Sequence, residues 1–210
     1  MPNSSSSRHL SDLLRYFNSG NAATPSPIQS PDHKTDWVSE VDIKSFRQAA
    51  VLVPITKSKH NNDSSIVLTV RSSNLKSHAG QVSLPGGTSE EQDSDHAATA
   101  LRESYEEIGL RPEEVEILGQ LGELVMPSGY RVTPVVGIIA SDLEYVANPS
   151  EVGAIFHAPL SLILDSQAYK HSTVSYGNVE RTVLELNYRD YRIWGATAAI
   201  LYHLAQLVCS

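Results

Sequence analysis

The chain has 210 residues, with 16 Lys and Arg against 24 Asp and Glu and a formal net charge of −8. This size suits one globular domain with a tail, and an acidic chain without a basic run excludes a general nucleic-acid binder. Hydrophobic residues make up 40%, which excludes a disordered chain, and the single cysteine excludes a disulfide framework or a cysteine zinc site. No apolar run reaches the roughly 18 residues that span a bilayer, so we predict a cytoplasmic protein without a membrane partner.

Residues 1–35 differ in composition from the rest. Ser11 is a candidate N-cap for apolar residues that recur at helical spacing, namely Leu10, Leu13, Leu14 and Phe17. We predict a short amphipathic helix that packs on the body, then a flexible linker rich in Ser and Pro, and a main domain over 36–210. The Ser-rich start is also compatible with an organelle transit peptide, although Asp12 argues against it.

The body combines strand and helix patterns. Apolar or β-branched runs predict strands over 49–55, 65–71, 82–84, 115–125 and 132–140. A segment without Pro or Gly predicts a helix over 95–108 that Gly109 ends, and an apolar face predicts a last helix over 192–208. Strands and helices mixed in this way predict an α/β domain with a mixed sheet.

Three carboxylates stand on the helix predicted over 95–108. Glu103, Glu106 and Glu107 are at i, i+3 and i+4, so about 3.6 residues per turn places them on one face. Like charges at this spacing, in a last helical turn, destabilise a helix, and a divalent cation reverses that effect. Oxygen ligands at this density suit Mg²⁺ or Mn²⁺. The alternative for the bare pattern is a solvated acidic face.

The surrounding residues favour a binding site. Gly86 and Gly87 follow a predicted short strand and allow the backbone to come close to a phosphate. Arg102 stands next to the carboxylates and can orient them through a bidentate pair. Together they suit a diphosphate that is chelated to a divalent cation.

This segment resembles the box of the Nudix hydrolases, G-x5-E-x7-R-E-U-x-E-E-x-G-U, where U is a bulky apolar residue. Matching positions hold Gly87, Arg102, Glu103, Glu106, Glu107, Gly109 and Leu110. Asp93 stands where the loop Glu belongs, eight residues rather than seven separate it from Arg102, and Ser104 replaces the bulky residue after Glu103. The resemblance implies a Nudix α/β/α sandwich with a mixed sheet.

A second pattern points to one branch of that family. LTVRSSNLKSHAGQVSLPGG, residues 68–87, resembles the L-T-x-R-S-x-x-L-x-x-H-x-G-x-V-x-F-P-G-G signature of Nudix enzymes that cleave coenzyme A. Residues 127–137 and 194–198 look like the bacterial members of that branch. The resemblance covers roughly residues 47–207.

The resemblance implies a hydrolase that cuts the diphosphate of coenzyme A, releasing 4'-phosphopantetheine and adenosine 3',5'-bisphosphate. By the family pattern, Glu103 and Glu107 are the principal ligands of Mg²⁺ or Mn²⁺, Glu106 is a further ligand or a base, and Arg102 supports them. Glu151 is a second candidate base, since many relatives carry a Glu at a similar point. Its alternative is an acid at a helix N-terminus.

Coenzyme A also carries a 3'-phosphate, which calls for a basic group. The nearest candidates are Arg71, Lys76 and His78; Arg71 could instead be a surface residue at a strand end, and His78 a structural hydrogen-bonding group. A broader nucleoside diphosphate hydrolase acting on NADH, ADP-ribose or nucleoside triphosphates is the alternative function, followed by a non-catalytic nucleotide sensor. The expected partner is a small-molecule substrate, and a homodimer is left open.

Overall fold

A computed structural model describes residues 6–20, 25–29, 40–57, 64–176 and 179–209. Its helices are α1 (Ser6–Asn18), α2 (Glu40–Ser45), α3 (His96–Ile108), α4 (Leu160–Ile163) and α5 (Gly195–Cys209). Its first six strands are β1 (Arg47–Lys57), β2 (Ser65–Arg71), β3 (Val82–Ser83), β4 (Gly86–Thr88), β5 (Glu116–Gln120) and β6 (Leu124–Met126). The others are β7 (Tyr130–Ala140), β8 (Val152–Pro159), β9 (Lys170–Tyr176), β10 (Val179–Tyr188) and β11 (Tyr191–Trp194). Within the described ranges, no helix is long and apolar enough to cross a bilayer.

The main sheet is mixed, as the sequence predicts. Its central order is β3-β2-β1-β7-β5, with β4 on β1, β6 on β7 and β8 on β2. Strands β1 and β7 run parallel over their whole length, whereas the other neighbours pair antiparallel. Strands β9, β10 and β11 form a separate antiparallel sheet.

Helices cover both faces of the main sheet, so the α/β/α sandwich is confirmed. Alternate residues of β1 point to opposite faces. Ala50 and Leu52 belong to the core that includes α3, and Val53 and Ile55 belong to the larger core that includes α1, α4 and α5. Helix α3 therefore packs on the face of the sheet opposite α1, α4 and α5.

The N-terminal region packs on the body more extensively than its composition predicts. Helix α1 begins at Ser6, so Ser11 lies inside the helix and is not its N-cap. The predicted packing of the helix is present, because Leu13 and Phe17 are buried in the larger core. Part of the predicted linker is packed too: Ile28 is buried, and its N–H donates to the Glu123 carbonyl at 3.0 Å. The rest of that linker lies largely outside the described residues.

The C-terminal half corrects two predictions. The single strand predicted over 115–125 is two strands, β5 and β6, because the chain leaves the edge of β7 between them. The last helix begins at Gly195, and residues 192–194 belong to β11, where Ile193 pairs with Leu186 and is fully buried. Strands β8 to β10 are additional to those predicted.

Candidate active site

Helix α3 places the carboxylates, and both of its ends are fixed locally. The Asp95 side chain accepts a hydrogen bond from the Ala98 N–H at 2.8 Å, and Gly109 ends the helix with a left-handed φ of 70°. Ser104 is fully buried, and its hydroxyl donates to the Ala100 carbonyl at 2.6 Å. The family pattern has a bulky residue here, and in this chain a small one occupies the buried position.

Arg102 connects the loop before the helix to the carboxylates. Its Nε and Nη2 donate to the two oxygens of Asp93, both at 3.0 Å, and Nη2 also donates to the Thr88 carbonyl at 2.9 Å. Its Nη1 donates to Glu103 Oε1 at 3.0 Å. Asp93 therefore pairs with Arg102 despite the longer spacing, and the guanidinium holds Glu103 from one side.

Asp93 has its own supporting contacts, which sequence reasoning missed. Its Oδ2 accepts hydrogen bonds from the Thr99 hydroxyl and the Glu90 N–H, both at 2.9 Å. Hydrogen bonds from the Arg102 side chain are the main reason why the pKa of Asp93 is lowered to about 2. The carboxylate is thus ionised and satisfied by groups of the chain itself. A threonine on the helix gives no sequence signal of this role.

Glu107 is in the opposite situation. It is 3% exposed, and its Oε2 accepts a hydrogen bond from the Gly86 N–H at 3.3 Å. Burial raises its pKa to about 7, against the lowering effects of that hydrogen bond and of the Arg71 charge. Gly86 itself has a φ of 152°, and a Cβ there would collide with the Ala50 carbonyl oxygen. Only glycine brings this N–H to the carboxylate.

Gly87 leaves room for Glu103. A Cβ at Gly87 would lie 2.5 Å from the carboxyl carbon of Glu103, which is closer than real contacts allow. Burial raises the pKa of Glu103, and the hydrogen bond from Arg102 opposes that shift. The two glycines, in the short strand β4, therefore present backbone without a Cβ to Glu107 and to Glu103.

The two candidate bases lie in different surroundings. Glu106 has a side chain that is 51% exposed and lies 3.4 Å from Arg102 Nη1. Glu151 lies just before β8, and its backbone carbonyl accepts a hydrogen bond at 2.8 Å from the N–H of Ser72, just after β2. The negative charge of Glu151 raises the pKa values of Glu103 and Glu107, so the fold brings this distant residue to the same cluster.

Of the three basic candidates, the structure brings Arg71 to the carboxylates. Arg71 ends β2, its charge lowers the pKa of Glu107, and its Nε is buried without a hydrogen-bond partner among the described residues. Lys76 is exposed in the loop after β2. His78 is also exposed there, and its Nδ1 shares a hydrogen bond with Gln81 Oε1 at 3.0 Å. No ion pair joins Lys76 or His78 to the carboxylates in the described part of the chain.

The donor set fits a divalent cation that is only partly held by protein. In the described ranges, no three His, Cys, Asp or Glu side chains are close enough to form a preassembled metal cluster. Mg²⁺ is commonly bound by one or two carboxylates together with water and substrate phosphates. The buried Glu107 and the partly buried Glu103 supply two carboxylates of this kind, and the nearby Glu151 adds negative charge.

The family model of the NUDIX domain matches residues 46–162. The chain belongs to the Nudix family. The matched range contains β1 to β8 and α3, and with them the glycines and carboxylates described above. The family match and the curated relatives make the chain a Nudix hydrolase, an enzyme of the pyrophosphatase type.

Curated relatives match a longer part of the chain than the family model does. An uncharacterized Nudix hydrolase, NudL, of Photorhabdus laumondii is 44% identical over 163 residues, covering 77% of this chain and 85% of the relative. NudL of Escherichia coli K12 is also 44% identical over 163 residues, covering 77% and 82%. A solved MutT/nudix family protein from Enterococcus faecalis is 14% identical with a TM-score of 0.48, covering 93% of this chain and 72% of that one.

Proposed function

We propose that this Nudix hydrolase cleaves the diphosphate of coenzyme A or its derivatives, giving 4'-phosphopantetheine and adenosine 3',5'-bisphosphate. One observation carries the proposal. The segment that resembles the coenzyme A signature, residues 68–87, contains Arg71, whose charge acts on Glu107, and Gly86, which donates to Glu107. It ends at Gly87, which faces Glu103. The signature is therefore part of the same site as the carboxylates rather than a separate surface.

The cofactor of this proposal is Mg²⁺ or Mn²⁺. Glu103 and Glu107 would hold the cation, with Glu106 as a further ligand. A bound divalent cation neutralises diphosphate oxygens and lowers the pKa of a bound water. The raised pKa values of Glu103 and Glu107 support this assignment, because desolvation of both carboxylates outweighs the opposing effects of Arg102 on Glu103 and of Arg71 on Glu107.

The remaining residues bind and orient the diphosphate. The backbone at Gly86 and Gly87 can approach the phosphates closely because no Cβ stands in the way. Arg71 offers its unpartnered Nε–H to a phosphate oxygen. Because Arg71 acts on Glu107, we assign it to the diphosphate, and the 3'-phosphate is left to Lys76 or His78 of the loop after β2. Arg102 positions Glu103 through their 3.0 Å hydrogen bond.

Two carboxylates could accept the proton of the attacking water. Glu151 lies close enough to Glu103 and Glu107 for its charge to act on both. Glu106 is half-exposed, and its carboxylate is already paired with Arg102. We therefore favour Glu151 as the base. Replacing each with Gln and comparing the pH dependence of kcat separates the two, since loss of the base removes the acidic limb of the profile.

The decisive experiment is an assay of coenzyme A hydrolysis with and without Mg²⁺ or Mn²⁺, with the products resolved. We expect cation-dependent release of 4'-phosphopantetheine, with kcat/KM for coenzyme A at least about tenfold above that for ADP-ribose or NADH, as one charged contact allows. Equal rates on all three would instead support the broader nucleoside diphosphate hydrolase. Tight binding without turnover on any substrate would support a nucleotide sensor.

A further inference from the structure

A cavity lies away from the carboxylates, between the main sheet and the hairpin of β10 and β11. Its volume is about 460 Å³, within the roughly 300–1,000 Å³ range of small-molecule pockets. Its lining includes Ser65, Phe156, His157, Tyr188, Arg189 and Tyr191. None of these residues has a part in the site described above.

One wall of the cavity is aromatic. The rings of Phe156 and Tyr191 stack with centroids 3.8 Å apart, and Tyr188 lies nearly parallel at 6.5 Å from Phe156. Arg189 lies over the Tyr188 ring at 5.1 Å and has a φ of 52°, which is rare for a residue with a side chain. Phe156 is only 8% exposed, so the partly exposed rings of Tyr188 and Tyr191 supply most of the rigid apolar surface that this wall offers to a ligand.

Another part of the lining is polar, and hydrogen bonds hold it in place. His157 Nδ1 shares a hydrogen bond with Ser65 Oγ at 3.1 Å, and Ser65 Oγ in turn lies 3.0 Å from Thr56 Oγ1. These contacts fix the orientation of the imidazole ring. The cavity thus combines an apolar wall with a polar group, as pockets for mixed ligands do.

An open sheet edge joins the cavity to the active site. Strand β8 pairs with β2 from Arg71↔Val152 to Ser65↔Pro159, and no strand pairs with its other edge in the part of the chain that the structure describes. Unpaired N–H and C=O groups on such an edge bind ligands that carry amides. Gly153 is exposed on this strand, and a Cβ there would meet nothing closer than 3.7 Å, so packing does not require glycine.

The length of this edge matches one arm of the proposed substrate. From Val152, beside the carboxylates, to His157 in the cavity is five residues, or about 16 Å at about 3.3 Å per residue. The pantetheine arm of coenzyme A contains two amides and spans about 15 Å when extended, if three bonds cover about 3.3–3.6 Å. A diphosphate at Glu107 would therefore place the sulfur end of the arm at the cavity.

We propose that the open edge of β8 binds the pantetheine arm, and that the cavity beyond it binds the acyl group of a coenzyme A thioester. This inference rests on the proposed function and adds the location and chemistry of a second subsite. The amides of the arm pair with the edge of β8, and the acyl chain packs on the wall of Phe156, Tyr188 and Tyr191.

The test is kcat/KM for free coenzyme A and for acetyl-, butyryl- and hexanoyl-coenzyme A, with the full chain and saturating Mg²⁺. We expect a rise of about threefold to fourfold for each added methylene until the cavity is filled, which is the usual value of burying a CH₂. Values that agree within about twofold across the series would overturn the subsite. This comparison needs no substituted protein, so it does not depend on how well a variant folds.

Two matched variants test whether the dependence of kcat/KM on acyl length arises in the cavity. His157→Trp fills the cavity, so the ratio of hexanoyl-coenzyme A to free coenzyme A should fall toward one. His171→Trp makes the same change at an exposed position of β9 and should keep the wild-type ratio. An unchanged ratio in folded His157→Trp contradicts the assignment. If kcat/KM does not change across the acyl series but coenzyme A is hydrolysed rapidly, the acyl subsite is excluded and the proposed function stands. If ADP-ribose is hydrolysed and coenzyme A is not, the proposed function is excluded as well.

Discussion

Two groups of charges on and around helix α3 differ in how they are balanced. In the Arg102 group, which is Arg102 and Asp93 with their hydrogen-bond partners, each charge is matched within the chain and the pKa of Asp93 falls to about 2. In the Glu107 group, which is Glu107 and Glu103 with the facing glycines, burial raises the pKa of Glu107 to about 7. The first group is complete without a ligand, and the second needs positive charge from outside.

This difference separates structural from functional charges. Satisfied buried ion pairs stabilise an arrangement, whereas buried carboxylates with raised pKa values cost stability and are typical of sites that bind something. Both groups share Glu103, which Arg102 holds from one side while Gly87 leaves the other open. The substitutions below therefore change activity and stability in different proportions.

The largest effect on turnover is expected in the Glu107 group. Glu107→Gln should lower kcat by about 10²-fold or more, as removal of one preorganised electrostatic group does. Stability should hold or rise slightly, because a buried carboxylate and a like-charge neighbour are removed. Steady-state kinetics at saturating Mg²⁺ and thermal unfolding measure the two quantities. Glu116→Gln, at an exposed position of β5, is the control. Near wild-type turnover in Glu107→Gln would contradict the assignment of Glu107 as a ligand of the cation.

The next largest effect is expected for Arg71, the basic residue whose charge acts on Glu107. Arg71→Ala should lower kcat/KM by roughly 10- to 150-fold, because a hydrogen bond to a charged group contributes about 1.5–3 kcal/mol. If Arg71 binds the diphosphate, the loss is equal on coenzyme A and on dephospho-coenzyme A, which lacks the 3'-phosphate. A loss confined to coenzyme A would make Arg71 the reader of the 3'-phosphate. Lys76→Ala is the matched comparison and should affect coenzyme A alone.

A substitution within the Arg102 group should lower stability strongly and activity only moderately, the reverse of the effect expected for Glu107→Gln. Asp93→Asn should lower activity only about tenfold, as loss of an outer orienting group does, but should reduce the free energy of unfolding by up to about 3 kcal/mol.

The folded-state pKa of Asp93, about 2, lies below the usual 3.8. The carboxylate therefore stabilises the fold above about pH 4 and loses this effect as pH falls through about 2. The stability difference between wild type and variant should therefore be constant above pH 4 and shrink below it, in denaturant titrations. A difference that does not change with pH excludes the ion pair as its source.

The sequence predicts these two groups unequally for a physical reason. Glu103, Glu106 and Glu107 share a face because helical periodicity is local, and Asp95 and Gly109 bound the helix through contacts within one turn. The supports of Asp93 come from the folded loop and cannot be derived from spacing alone. Glu151 illustrates the same limit, since antiparallel pairing of β8 with the distant β2 brings it to the carboxylates.

The fold shows the same division between local and non-local signals. Strands β1, β2 and β7 are continuous apolar runs, and the sequence predicts them within a few residues. The hairpin of β10 and β11 is less apparent, because Arg192 to Trp194 fits the helical pattern of α5 until Ile193 is seen paired with Leu186. Pairing partners, rather than composition, decide which structure these residues adopt.

The smallest effect on turnover is expected far from both groups. Leu13 of α1 is fully buried in the larger core, on the sheet face opposite α3. Leu13→Ala should lower the free energy of unfolding by about 2–5 kcal/mol, the usual range for a buried leucine, while kcat of the folded enzyme stays within about twofold of wild type. Asn18→Ala, at an exposed position of the same helix, should change neither quantity by much. Because α1 touches neither charge group, a large loss of kcat in folded Leu13→Ala would mean that the N-terminal helix positions the site, and the separation between structural and catalytic regions would then fail.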